Sequence, residues 1–373
     1  MMMRLALFLA ASLAVANTFD GSSWSGYVPI TIDNTYVSGS GTHSAFAVGL
    51  LLSEITDATW WSSVHSTGRD IRVTTDADAE VPHELDRIDT VAEDGLLWVR
   101  LDVSTSADTE YRIWVGNGAA TAYAESDTYG AEAVWDTTYT GIYHLSGSTY
   151  TEMTDSTTYD NHADQINQGT YEQAGPWDYC VDFTGAGQRL EIADFSLTPD
   201  YRSAGFVSMW VWFDTTAGND APFGLMGNRS PGGGYKVKRL GTNMQLHRHS
   251  GSWKIAESGS SHISANQWYH IVGYWDGSTQ KVFINGVEEG TLSTTGNTDY
   301  QSAIANDTIG TFQAEDGTQG LVDEVWASNH TTVMDADWIA TMYNNQAEAN
   351  FQTAGAWVAA AAGGGAAQII IFF

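Results

Sequence analysis

The chain has 373 residues, 43% hydrophobic and 12% aromatic, which is enough apolar material for two domain cores. Its 45 acidic residues face 15 basic ones, a formal net charge of −30 spread along the chain, and so acidic a surface excludes nucleic acid as a partner. Screening by salt or loading with calcium would make the excess tolerable and points to a saline setting; a plain acidic soluble surface explains it equally well.

Residues 1–16 read as a Sec-type signal peptide. Arg4 supplies the positive start, residues 5–15 the apolar stretch and Ala14-Val15-Ala16 a small-residue cleavage site, so the mature chain begins near Asn17 and is secreted or held at the cell surface. A membrane anchor is the rival reading, but the stretch falls short of the ~20 residues that span a bilayer. Cys180 is the only cysteine, so no internal disulfide forms and the cores must hold the fold. It lies in the alternating Tyr179-Cys180-Val181-Asp182-Phe183, with no helix start or cation to activate it, as a buried structural thiol would.

Glycine is frequent (38), proline scarce (6), and Thr, Ser, Trp and Tyr recur, the mixture of many short strands joined by tight turns. The fold class is all-β: two β-sandwich (jelly-roll) modules in tandem with a short helix near the C-terminus. In residues 17–135, Leu97, Val99, Leu101 and Val103 alternate with Trp98, Arg100 and Asp102, a period of two that buries one sheet face and wets the other. Arg69-Asp70-Ile71-Arg72-Val73 and Tyr111-Arg112-Ile113-Trp114-Val115 repeat the habit. Alternation lapses over residues 119–140, which marks a module boundary with a short linker.

The second module covers residues 136–351. Val207, Met209, Val211 and Phe213 line one face of a strand and Ser208, Trp210 and Trp212 the other, so both faces are expected to be covered. Asp276-Gly277 and Asn285-Gly286, set between apolar runs, predict two successive hairpins, because these dipeptides accept the positive φ of tight turns. Asp335 can cap a helix carrying Trp338 with Met342 and Ile339 with Tyr343 at i,i+4, expected on the rim of the sandwich. Residues 352–373 form an Ala/Gly-rich tail ending in Ile369-Ile370-Ile371-Phe372-Phe373, too short to span a membrane but able to add a strand to a sheet edge in self-assembly.

The order Ile142-Tyr143-His144-Leu145, Asp155 to Asn161, Val181-Asp182-Phe183-Thr184-Gly185, Trp268-Tyr269-His270-Ile271, Phe283-Ile284-Asn285-Gly286, Ile309-Gly310 and Leu321-Val322-Asp323-Glu324-Val325 resembles laminin-G-like, concanavalin-A-like lectin/glucanase modules. Tyr27-Val28-Pro29-Ile30-Thr31-Ile32, Gly68-Arg69-Asp70-Ile71-Arg72-Val73, Leu97-Trp98-Val99-Arg100-Leu101 and Tyr111-Arg112-Ile113-Trp114-Val115-Gly116-Asn117 are similar to domain of unknown function 2341, which implies a β-sandwich and no function.

The fold implied by the first resemblance also hosts glucanases, whose hydrolysis needs two carboxyls about 5–10 Å apart across the bond. Asp323 and Glu324 are the nearest candidates, but neighbours on a regular strand point to opposite faces. No His-Glu-x-x-His, Gly-x-Ser-x-Gly or phosphate-loop pattern occurs. Asp155-Ser156-Thr157-Thr158-Tyr159-Asp160-Asn161 offers hard oxygen ligands, and the resemblance implies that such a loop meets Asp323, so Asp155, Asp160, Asn161 and Asp323 are candidate calcium (Ca2+) ligands. An Asx-rich turn bonding its own backbone explains the loop as well. His247 and His249 share a strand face, yet no third ligand accompanies them.

A sugar needs an exposed aromatic plate flanked by polar groups. Tyr235, His247, Arg248 and Trp253, in a Gly- and Ser-rich region, are the candidates. The reading is a secreted, non-catalytic carbohydrate-binding or adhesion protein whose partner is a glycan or cell-surface polysaccharide. The alternatives are a glycoside hydrolase on the same fold, and a surface, virion or filament subunit assembling through its apolar tail.

Overall fold

The computed structural model describes residues 19–135, 139–147, 152–166, 169–177, 179–183, 188–192, 204–214, 219–225, 235–250, 252–294, 307–312, 316–317, 320–328 and 334–361. The expected signal peptide, residues 1–16, and the apolar end, residues 369–373, lie outside them. The chain is all-β and antiparallel apart from short helices.

In the first module, Gly26–Ile32 pairs with Thr109–Val115, which pairs with Arg72–Thr75; a second sheet joins Thr42–Leu51, Asp94–Ser104 and His83–Asp89. Burial alternates strictly along Gly26–Ile32, so Val28, Ile30 and Ile32 turn inwards to share a core with Val48, Leu97 and Val99. Gln352–Ala354 and Val358–Ala359 also pair with Gly26–Ile32. The chain therefore returns to its first sheet, and the start of the expected tail is a built part of that module.

The second module stacks two large sheets. One runs Thr170–Ala174, Tyr179–Asp182, Gly320–Ser328, Gly205–Phe213, Trp268–Trp275, Thr279–Ile284, Val287–Ser293. The other runs from the edge strand Ser252–Glu257 through Asn243–Ser250 and Tyr235–Leu240 to Asn219–Leu225 and beyond. Val207, Met209, Val211, Val237, Leu246 and Val282 fill the space between them. The hairpins form as expected: Asn285 (φ 50°) and Gly286 (φ 77°) make a two-residue turn, and Asp276 Oδ1 accepts from the amides of Ser278 and Thr279 at 2.9 and 2.8 Å.

Both faces of Gly205–Phe213 are covered, as the double apolar pattern suggested. The second cover is unexpected. The helix Ala336–Ala347, capped by Asp335 through the Trp338 amide at 2.9 Å, lies between the modules and not on the sandwich rim. On one side Trp338 packs on Phe46 at 4.8 Å; on the other Tyr343 stacks on Trp210 at 5.9 Å, and Trp210 Nε1 donates to Gln346 Oε1 at 2.5 Å. The i,i+4 stripes read as one apolar face thus serve two partners. Asn345 accepts from the Gly49 amide at 2.9 Å and donates to the Gly49 carbonyl at 3.0 Å, inserting helix polarity into the first module's sheet edge. Only glycine fits there, since a Cβ on Gly49 would lie 2.6 Å from the Trp98 ring.

Trp98, expected on the wet face, is 0% exposed. Its ring is 5.5 Å from Trp135, 5.3 Å from Trp177 and 5.1 Å from Trp326, a cluster drawn from both modules. Tryptophans at this spacing exceed their burial energy by about 0.5–1.5 kcal/mol per pair, which makes the junction a core in its own right.

Candidate functional site

The four residues expected to hold sugar occupy adjacent strands but not one face. Register sets Tyr235 opposite Arg248 and His249 opposite Trp253, and the two-residue period sends these pairs to opposite sides of the sheet. Tyr235 and Arg248 point between the sheets: both are buried, with the Tyr235 ring 4.9 Å and the Arg248 guanidinium 5.0 Å from the Trp275 ring. His247 and Trp253 point outwards.

Trp253 is 41% exposed on the edge strand. His249 meets its ring edge-on at 5.1 Å, His247 at 5.9 Å, and the Lys236 ammonium lies 5.7 Å from its centroid. His247 Nε2 is 2.7 Å from Gln245 Oε1, and His249 Nδ1 has no hydrogen bond among the described residues. The face is an indole plate ringed by two imidazoles, an ammonium and an amide. His249, already paired with His247 on one strand face by its spacing, joins the plate as a flanking group, and register adds Lys236 and Gln245, which linear spacing did not single out.

The loop that offered calcium ligands is self-contained. Asp155 Oδ1 accepts from the amides of Ile142 at 2.9 Å and Thr157 at 3.0 Å, and Oδ2 from Thr157 Oγ1 at 2.9 Å and the Asn161 amide at 3.0 Å. Burial raises its pKa, against the pull of these donors. Asn161 donates to the Thr140 carbonyl, and Asp160 holds φ 51° in the turn. Asp323 is elsewhere, beside Gly175 and Cys180, with no hydrogen bond to either carboxylate oxygen, and burial raises it well above the usual carboxylate range. No group of three His, Cys, Asp or Glu among the described residues is placed to hold a metal ion. The geometry is that of the Asx-rich turn, and these four residues do not fit a calcium cage. Asp155→Ala is accordingly expected to lower stability by at least ~2 kcal/mol by orphaning buried amides, with the same loss in calcium and in chelator when melting is followed by circular dichroism.

Carboxylates do converge at the module junction, where Glu84 and Asp86, which the sequence reading did not single out, join Asp323 and Glu324. Asp323 pairs across to Trp210, on the side facing the first module, yet Glu324 faces that side too. A bulge explains this: Glu324 adopts φ 48°, the register slips between Ser208 and Trp210, and Val322 and Val325 both enter the inter-sheet core. The expectation of opposite faces fails for that reason. His144 Nδ1 lies 2.9 Å from Glu324 Oε2 and its Nε2 3.3 Å from Glu84 Oε2. Glu84 also takes hydrogen bonds from Ser156 at 2.7 Å and from Trp135, while Asp86 accepts from Ser146 at 2.9 Å. Burial alone would lower His144, but Glu324 and Glu84 outweigh it and hold its pKa well above 6.5. The imidazolium is consumed as a clamp between two carboxylates, and Glu324 is 2% exposed, so the acids face each other through His144 and not across a groove. Cys180 is buried, with its pKa pushed up by burial and by Asp323, an inert thiol.

These features define an antiparallel two-layer β protein with an outward aromatic face around Trp253. Residues 184–340 match the profile of the concanavalin A-like lectin/glucanases superfamily. Among solved structures the chain is similar to domain 4 of AbnA, a GH43 extracellular arabinanase from Geobacillus stearothermophilus, in complex with arabinotriose: 19% identity, 53% of this chain and 98% of that one, TM-score 0.42. It is also similar to the botulinum neurotoxin serotype D binding domain, with 14% identity, 58% of this chain and 53% of that one, TM-score 0.45. The chain thus spans about half the length of the toxin domain. No curated protein matches it. No helix among the described residues is long and apolar enough to cross a membrane.

Proposed function

We propose that the protein is a secreted, non-catalytic carbohydrate-binding protein that takes a glycan on the outer sheet face around Trp253. The observation that carries this reading is a large indole left 41% exposed beside His247, His249 and Lys236. A pyranose presents an apolar face to such a plate and hydroxyls to the flanking imidazoles, ammonium and amide. The match of residues 184–340 to a superfamily of lectins and glucanases supports the same class. Adhesion to a cell-surface polysaccharide is the role this face suits.

The first module, read as a domain of unknown function 2341-like sandwich, acts as a rigid support, since the interposed helix and the tryptophan cluster hold it against the second module. A hydrolase reading gains nothing from Glu84 and Glu324, which are engaged with His144, Ser156 and the indoles. The structural-subunit reading rests on the apolar end alone; a drop in oligomer size on deleting residues 368–373 would favour it. Affinity electrophoresis through gels cast with single polysaccharides tests the main reading. The wild type is expected to be retarded in at least one gel and Trp253→Ala in none, with both melting alike. Equal retardation of the two proteins would contradict it.

A further inference from the structure

The acids of this chain avoid the stretch that builds the Trp253 face. Between Asp220 and Glu257 no acidic residue occurs, while Arg229, Lys236, Lys238, Arg239, Arg248 and Lys254 do. All 45 acids therefore lie outside the stretch, and three of the chain's four lysines lie within it. Most of it forms the three strands at one end of a sheet, Tyr235–Leu240, Asn243–Ser250 and Ser252–Glu257.

Register turns two of these lysines and both histidines of the stretch outwards. Lys236 stands opposite His247, which stands opposite Ile255; His249 stands opposite Trp253, and Lys238 opposite Gln245. Val237 and Leu246 enter the inter-sheet core, and Arg239 and Arg248 are buried over the rings of Phe213 and Trp275, so alternation sends Lys236, Lys238, His247 and His249 to the other side. Among the described residues, the acids nearest this face are engaged or remote. Glu257, at the end of the edge strand, accepts from Asn243 Nδ2 at 2.6 Å. The register leads from Lys236 through Gly224 and Thr308 to Glu191, three strands and roughly 14 Å away, where Arg189 closes on it. On the edge strand of the other sheet, Glu288 closes on Lys281 at 2.8 Å and Glu289 faces His262 at 3.5 Å.

We infer, on the reading that sugar stacks on Trp253, that the glycan taken there is acidic: a polysaccharide whose pyranose rings carry carboxylate or sulfate groups. The Lys236 ammonium, 5.7 Å from the indole centroid, and the His249 ring, at 5.1 Å, stand within reach of the substituents of a pyranose on the plate. What draws the anion is the excess of cations over acids across the face, not any single donor. Charge acts over about 8 Å in physiological salt, so the acids of the remaining surface are screened from an anion seated here. A neutral glycan would use the indole alone and gain nothing from the segregation of charge.

Affinity electrophoresis of the full-length protein tests this with polygalacturonate and its neutral methyl ester, with a sulfated galactan and its desulfated form, and with polyphosphate, which has charge but no sugar ring. At least one acidic polysaccharide is expected to bind about tenfold more tightly than its neutral form or polyphosphate, and to weaken about tenfold between about 50 and 500 mM salt. Response to polygalacturonate assigns the anion to carboxylate, response to the galactan to sulfate. Lys236→Gln with Lys238→Gln should lose about tenfold in affinity, whereas Lys281→Gln, on the other sheet, loses none. If the double variant melts early, Lys238→Gln alone, at a partly exposed position, should still lose affinity with its melting retained. Neutral and acidic forms bound alike, both lost with Trp253→Ala, would overturn the acidic class and leave the Trp253 face its sugar. Acidic binding that survives Trp253→Ala would overturn both readings. Polyphosphate bound as tightly as the acidic polysaccharides, no retardation by either of them, or indifference to the lysine variants would overturn the inference.

Discussion

Replacing His144 with alanine is expected to lower the unfolding free energy by about 3–5 kcal/mol, the cost of leaving a buried ion pair half made. Glu324 and Glu84 flank the ring from the second and first modules, and its loss strands two carboxylates in a junction lined by Trp98, Trp135 and Trp326. The pH dependence follows in sign. Because the folded pKa of His144 is raised, its contribution is complete below 6.5 and is lost as pH rises through the raised value. Glu84 runs the other way: burial alone would raise it, but His144, Ser156 and Trp135 prevail, so its contribution is present above 4.5 and lost as pH falls through the lowered folded value. Asp86, pushed up to about 6 by burial, loses its contribution between 3.8 and that value. Denaturant titrations should therefore show the difference between wild type and His144→Ala largest between about pH 4.5 and 6.5 and shrinking at high pH. A difference that grows as the solution turns alkaline would contradict the clamp.

Trp98→Ala is expected to cost a similar ~3–5 kcal/mol, the range for deleting a large aromatic from a packed core. Its effect should reach both modules at once. Trp98 belongs to the first module's Asp94–Ser104 strand, but its ring touches Trp326 and Trp177 of the second, and the strands Gln352–Ala354 and Val358–Ala359 close the first module's sheet. One cooperative transition, shifted as a whole by the substitution, is the expected result in calorimetry. Two transitions, of which Trp98→Ala moves one, would mean that the modules fold separately.

Local order was legible in the sequence wherever a residue's neighbours in the chain decide its conformation. Asn285-Gly286 demanded a tight turn, Asp335 a cap, and the double pattern at residues 206–213 a strand covered on both faces, and all three stand in the structure. What escaped was set by contacts between distant segments. Trp98 read as solvent-facing because alternation reports a sheet's two faces but not what lies against the second one. The helix read as peripheral because nothing in Trp338, Ile339, Met342 and Tyr343 distinguishes one covering partner from two. Glu324 was placed on the wrong face because a bulge, unlike a hairpin turn, needed no glycine here. The sugar-site candidates were split by the same period of two, which sends Tyr235 and Arg248 inwards while Trp253 stays outside. Cys180 was read correctly as inert because its lack of a cationic neighbour was visible in the chain itself.

Hydroxyl-radical footprinting on the polysaccharide that retards the wild type tests most directly whether the outer sheet face is where sugar sits. Trp253 and Ile255, exposed on the edge strand, should be oxidised freely without ligand and shielded when the polysaccharide is bound, while Val91, exposed in the first module, reacts equally in both states. Bound polysaccharide that leaves Trp253 as reactive as before would place recognition elsewhere and contradict the account.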